Sequence, residues 1–193
     1  PILKGVYLNS LGMVIGCDGT KMFIYNQFNE EEIENALSIT ISQDVCKEVA
    51  NYQAKFDVTF NNNAVRFSSE NIEITGRLYM GHYPVPASLI KYVGNPTDID
   101  IDALKEIFNN GGLIDGKKKV TFKDNTVTIR TKEESDELVA DLKSEINATF
   151  FYEDLKPCID MADNDVIIGF IDNQKPLTIQ KEKYKVIIIP TWS

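Results

Sequence analysis

Histidine is almost missing from this chain: His82 is the only one among 193 residues. No nucleophile–His–acid set can be assembled around it with independent support. Cysteine is sparse and odd in number. Cys17, Cys46 and Cys158 show no C-x-x-C spacing, which argues against a structural zinc site or a disulfide framework and fits a reducing cytoplasm. No run of 18 apolar residues exists, so no membrane span is expected. The start carries no basic segment followed by an apolar block, so it is not a signal peptide. It also lacks an initiating Met, and Pro1 is read as a cut point in a longer chain. No glycine-rich loop opens a helix, which leaves nucleotide binding without a motif. The acidic clusters Glu30-Glu31-Glu32 and 98–102 lack a calcium-loop pattern and are read as solvated faces and caps. Positive charge is short as well. Lys and Arg number 20 against 29 Asp and Glu, a net charge of −9, which argues against a surface that binds nucleic acid by charge alone.

What is present is ample apolar material. Hydrophobic residues make up 43% and charged residues 25%, enough for one large domain or two of about 100 residues. The chain reads as three copies of one pattern, a short helix followed by strands. The first helix is expected over 43–51, with Val45, Cys46 and Val49 facing inward and Ser42 as N-cap. Strands near 55–60, 64–67 and 72–78 follow, with Asn61-Asn62-Asn63 as a turn. The second helix is expected over 102–109 on Leu104, Ile107 and Phe108, ended by Gly111-Gly112. Strands near 119–122 and 126–130 follow about the turn Asp124-Asn125. The third helix is expected over 154–161 on Leu155, Cys158 and Ile159, where Pro157 is acceptable only in the first turn. Strands near 166–171, 177–180 and 185–189 complete the chain.

Two stretches are ambiguous. Residues 30–37 and 132–142 have helix-forming composition, but Leu138, Ala140 and Leu142 alternate, and the second is read as strand. Cys17 beside Asp18-Gly19 admits an activated thiol; a turn between two strands, with Gly19 supplying permissive backbone angles, is the favoured reading. Gly94-Asn95-Pro96 marks a boundary within 89–97, giving units 1–90 and 91–193.

Three phrases, in this order, carry a resemblance. The first is Pro1-Ile2-Leu3-Lys4-Gly5-Val6-Tyr7-Leu8 with Cys17-Asp18-Gly19-Thr20-Lys21-Met22. The second is Gly76-Arg77-Leu78-Tyr79-Met80-Gly81-His82-Tyr83-Pro84. The third is Tyr184-Lys185-Val186-Ile187-Ile188-Ile189-Pro190. Together they resemble the bacterial sliding clamp family, the beta subunit of DNA polymerase III, as a divergent member. The resemblance implies an α+β DNA clamp fold of repeated helix plus antiparallel strands, with helices on the inner face and sheets on the outer. Residues 1–90 would then be the family's middle domain without its first strand and helix, and 91–193 its C-terminal domain. The implied function is non-catalytic: a processivity factor, without cofactor or metal, that encircles double-stranded DNA without sequence specificity. The intact protein would be a homodimeric ring and this fragment would not. Implied partners are DNA polymerase, clamp loader and repair proteins, bound through Q-x-x-L-x-F-like peptides in a groove between the two domains.

The positions that match the family's groove are Leu3, Cys17, Gly19, Thr20, Lys21, Met22, Pro84, Ser88, Leu89, Gln174, Pro176, Ile187, Ile188, Ile189, Pro190, Thr191 and Trp192. Thr20-Lys21-Met22 stands where the family has His-Arg-Leu, and Thr191-Trp192-Ser193 where it has Met-Arg-Leu. Met22, Leu89, Ile187 and Ile189 are of a type to line an apolar pocket, and Gln174 and Pro176 are expected on a strand edge. Burying one Leu and one Phe anchor yields roughly 1.5–3 kcal/mol each, and association costs bring the expected affinity to about the micromolar range. Lys47, Lys105 and Lys156, one per helix, are the candidates to face DNA phosphates. Two alternatives stay open: a stand-alone peptide-binding or decoy protein on the same fold, and a small enzyme built around Cys17 or His82.

Overall fold

A computed structural model describes residues 5–26, 31, 36–81, 83, 87–131, 133 and 136–191. The chain divides into two compact units, Pro1–Ile90 and Lys91–Ser193.

The first unit begins with four strands, β1 (Val6–Asn9), β2 (Val14–Cys17), β3 (Lys21–Tyr25) and β4 (Ser38–Ile41), antiparallel and in the order β4-β1-β2-β3. Helix α1 (Gln43–Ala50) follows, then a second antiparallel sheet, β5 (Asp57–Phe60), β6 (Ala64–Ser68) and β7 (Glu73–Arg77). A short helix α2 (Ala87–Ile90) closes the unit. Ser42 caps α1, its hydroxyl accepting from the Val45 amide at 3.3 Å. The core joins Ile39 and Ile41 of β4 to Val65 and Phe67 of β6, with Val45, Cys46 and Val49 of α1 packed over them. Gly76 sets how closely the helix lies: a Cβ there would sit 2.2 Å from a Val45 methyl. The two sheets are stitched at one point, where Ile41 bridges Leu78 and the Tyr79 amide donates to the Thr40 carbonyl at 2.9 Å.

The second unit repeats this plan. After β8 (Asn95–Pro96) and α3 (Ile101–Gly111), strands β9 (Lys118–Lys123), β10 (Thr126–Thr131), β11 (Glu137–Asp141) and β12 (Ala148–Phe151) form a sheet in the order β11-β10-β9-β12. Helix α4 (Tyr152–Met161) then leads into β13 (Ile167–Phe170), β14 (Leu177–Lys181) and β15 (Tyr184–Ile188). Strand for strand, β12-β9-β10-β11 followed by α4 and β13–β15 matches β4-β1-β2-β3 followed by α1 and β5–β7. The stitch recurs too: the Thr191 amide donates to the Thr149 carbonyl at 2.7 Å, and Thr149, like Thr40, stands three residues before the first residue of its helix.

Helices α3 and α4 face each other through Phe108 and Tyr152, whose rings stack with centroids 5.3 Å apart. The Tyr152 hydroxyl donates to the Phe108 carbonyl at 2.6 Å, adding a second donor to a carbonyl that already accepts from the Gly112 amide at 3.0 Å and so tying α4 to the end of α3. Helix α4 starts two residues earlier than the sequence pattern indicates, so Pro157 lies in its interior. This corrects the expectation of a first-turn proline. Both Pro157 and Glu153, whose carbonyl loses its amide partner, lie on the exposed side of the helix, so the missing bond falls on the solvent-facing side and not in the core. The ambiguous segment 132–142 contains the strand β11. Most of the other ambiguous segment, 30–37, lies outside the described residues.

Candidate functional site

Chemistry-bearing positions of the first unit gather on the β2–β3 hairpin. Asp18 organises its turn: Oδ1 accepts from the Thr20 amide (3.0 Å), the Thr20 hydroxyl (2.9 Å) and the Lys21 amide (3.0 Å), while Oδ2 pairs with Lys21 Nζ at 2.7 Å. Partial burial pushes the Asp18 carboxyl up, but the hydrogen bonds from Lys21 and Thr20 outweigh it and hold it at about 2. Gly19 takes φ +98°, a left-handed angle that a side chain resists. The turn reading of Cys17-Asp18-Gly19 is therefore the one the backbone adopts. Thr20 and Lys21 are spent on this cluster, and Cys17 pairs across the hairpin with Met22. Cys17 is half-buried, and Met22 is buried at 6% exposure, so only part of this pair meets solvent.

Tyr83 is a component that sequence reasoning missed. It is buried, its ring lies 5.8 Å from that of Tyr7, and its hydroxyl has no partner among the described residues. Burial first, and the neighbouring Cys17 second, push its phenol up to about 12. On α2, Ser88 is exposed, Leu89 half-buried and Ile90 buried.

In the second unit, Gln174 and Pro176 lie in the loop between β13 and β14, not on a strand edge. Asp172 turns the chain there, its carboxylate accepting from the Gln174 amide at 2.8 Å and its carbonyl from the Lys175 amide at 3.2 Å. Tyr92 pins the loop, its hydroxyl donating to the Pro176 carbonyl at 2.9 Å, while its own carbonyl accepts from Lys185 Nζ at 3.2 Å. Lys185 is buried at 2% exposure, and that burial lowers its pKa. Ile187 and Ile188 are buried opposite Thr178 and Leu177, whereas Ile189 is 45% exposed. Pro190 is buried, and Thr191 is half-buried and committed to Thr149. Leu3, His82, Pro84 and Trp192 lie outside the described residues.

The three helix lysines sit in acidic company. Lys47 is exposed on α1 between Asp44 and Glu48. Lys105 of α3 has Asp102 and Glu106 on the same helix, and it helps lower Asp163, whose main partner is Lys181. Lys156 of α4 forms an ion pair with Asp160 one turn on, and Glu153 and Asp154 share its helix. Each helix thus carries more acid than base. No group of three or more His, Cys, Asp or Glu that would hold a metal occurs among the described residues. No helix among them is long and apolar enough to cross a membrane.

No family model matches the sequence. No curated protein matches it either. The structure does have close likenesses among solved ones. It is similar to the beta subunit of DNA polymerase from Streptococcus pyogenes (TM-score 0.78, 17% identity, 100% of this chain and 59% of that one). It is similar to the DNA polymerase III beta chain of Streptococcus pneumoniae (TM-score 0.76, 20% identity, 100% and 58%). It is also similar to the Pseudomonas aeruginosa sliding clamp solved bound to griselimycin (TM-score 0.77, 13% identity, 100% and 58%). The chain therefore has the α+β sliding-clamp fold and spans under two thirds of the length of these relatives. At such identities the likeness establishes the fold.

Proposed function

We propose that this chain, built on the sliding-clamp fold, is part of a DNA polymerase processivity factor that holds the polymerase on DNA and recruits partner proteins through short peptides. The observation that supports this most is the match of the whole chain, both repeated units together, to structures of one kind. The proposed role is mechanical and non-catalytic. The partners are the polymerase, the clamp loader and repair proteins carrying Q-x-x-L-x-F-like tails.

The groove positions with accessible side chains support the site. Ser88 and Leu89 on α2, part of Cys17, and Ile189 beyond β15 are within reach of solvent. Lys21 contributes its stem more than its charge, since Asp18 holds the ammonium. The test is titration of a labelled Q-x-x-L-x-F peptide into the whole chain, the Leu89→Asp variant and the Ile189→Glu variant. Binding near the micromolar range is expected, weakened about tenfold or more in each variant. These positions are better probes than Met22, whose burial at 6% exposure makes a charged substitution a test of folding instead. Absence of binding to the folded native chain overturns the groove and leaves the fold untouched.

A second reading has its own observation. The acidic balance of α1, α3 and α4 is unfavourable for contact with DNA phosphates. It favours a clamp-like peptide-binding protein that occupies clamp partners without holding DNA. Peptide binding is common to both readings, and DNA binding separates them.

A further inference from the structure

The first unit has a second feature suited to a peptide, at the edge of β4, whose support does not depend on the reading above. Strand β4 ends its sheet. Its inward groups pair with β1, and the Leu37 carbonyl, on that same side, accepts from the Ser10 amide at 2.8 Å. On its outward side the Thr40 carbonyl accepts from the Tyr79 amide and Ile41 bridges Leu78. By the alternation of an antiparallel strand, the Ser38 amide and carbonyl point the same way as those of Thr40, and no partner for them occurs among the described residues. Ser38 is exposed. Among the described residues the strand thus offers an open ladder position immediately beside that stitch.

A cavity of about 420 Å³ opens beside that position, where the chain leaving Leu78 diverges from β4 and the β5–β6 turn forms a third wall. The volume is within the range of small-ligand sites. Its lining includes Tyr7, Phe60, Tyr79, Met80 and Tyr83 with the neutral side chains of Asn61 and Asn62. Among the described residues that line it there is no Asp, Glu, Lys, Arg or His, in a chain with 29 acids. Two large apolar side chains at the same cavity remain in water, Met80 at 81% and Leu37 at 70% exposure. Exposed methionine beside aromatic walls is a feature of surfaces that close over an apolar partner.

We propose that the outer edge of β4 and the cavity beside it form a β-addition site for an extended peptide that carries an uncharged aromatic side chain. The open backbone groups of Ser38 supply the ladder bonds, and the cavity takes the ring. Neutral walls select against a charged residue at that position, because a carboxylate or ammonium would lose its hydration there without gaining a counter-charge. A second copy of this chain is the poorer occupant, since two bodies of net charge −9 repel.

The test is a ¹H–¹⁵N titration of the whole chain with the blocked peptide Ac-Thr-Val-Tyr-Val-Thr-NH₂ and with its Tyr→Glu counterpart. Saturable shifts are expected at the Ser38, Ile39, Tyr79 and Met80 amides, with affinity for the Glu peptide lower by about tenfold or more. Met80→Asp, at a position that folding does not bury, is expected to weaken the Tyr peptide similarly, and Ser38→Pro, which removes the edge amide, to abolish its binding. Equal binding of the two peptides overturns the proposal, as do shifts confined elsewhere or unchanged binding by both variants. Shifts that depend on protein concentration without peptide overturn it in favour of self-association through the same edge.

Discussion

Asp18 shows how one side chain turns a short sequence into a shaped surface. Its carboxylate gathers three donors from Thr20 and Lys21 as well as the Lys21 ammonium, and this fixes the hairpin end that bears Cys17 and Met22. The carboxyl is lowered from 3.8 to about 2 in the folded chain. A depressed carboxylate contributes stability that is fully present above the unfolded value and is lost as pH falls through the folded one. The loss therefore falls between about pH 4 and pH 2. Side-chain exposure of 50% at Asp18 keeps the contribution to roughly 0.2–1 kcal/mol, as for other solvent-screened pairs. The Thr20 and Lys21 amide shifts are expected to titrate with a midpoint near 2, and Asp18→Asn to remove that titration while leaving the fold intact. A midpoint near 3.8 would mean that the cluster does not hold the carboxylate.

At the scale of elements, the position of α1 depends on the absence of one carbon. A Cβ at Gly76 would meet Val45 at 2.2 and 3.0 Å, and Val45 is held by the core of Ile39, Ile41, Val65 and Phe67. Gly76→Ala must displace α1 or force Val45 off its rotamer, at a cost of about 1–3 kcal/mol, read as a lower urea midpoint with an unchanged slope. The double variant Gly76→Ala with Val45→Ala is expected to recover part of that loss, which a general effect on the strand would not allow. The same steric detail marks a limit of the sequence. Helices α1, α3 and α4 and most of the strands that follow them were legible because apolar residues recur at helical spacing and turns carry Asn, Asp and Gly. Asn125 and Asp124 do turn the β9–β10 hairpin with positive φ. Strand β12 was not legible, since Ala148–Phe151 runs into α4 without a break and its stop is not encoded by a turn residue. The start of α4 was missed for a related reason: Tyr152 looks like the last residue of a strand until Phe108 and the end of α3 are beside it. The candidate site was legible only through resemblance. Tyr83 and Tyr92 carry no local signal, because what distinguishes them is burial and a partner 84 residues away in the case of Tyr92 and Pro176.

At the scale of the whole molecule, the fold and the charge point in different directions. The fold is that of clamps, yet the net charge is −9 and every one of α1, α3 and α4 carries more Asp and Glu than Lys and Arg. Lys156 is already paired with Asp160, and Asp163 draws on both Lys181 and Lys105. A phosphate contact at Lys156 has to displace Asp160, so the counterion release that drives non-specific DNA binding is reduced before DNA arrives. The chain as it stands is expected to bind a 20-base-pair duplex negligibly by fluorescence anisotropy, with no dependence on salt between 50 and 200 mM. Reversing one acid per helix, at the exposed Glu48, Glu106 and Glu153, removes three negative charges and adds three positive ones. If the helices are presented to DNA, the triple variant gains binding whose affinity falls with salt at a log–log slope of about −0.9 for each phosphate engaged. If they are not, the variant stays inert, and the fold serves peptide capture alone. Native binding with a steep salt slope would instead mean that basic residues outside these helices hold the duplex, and would sink the reading of an acidic, DNA-averse helical face.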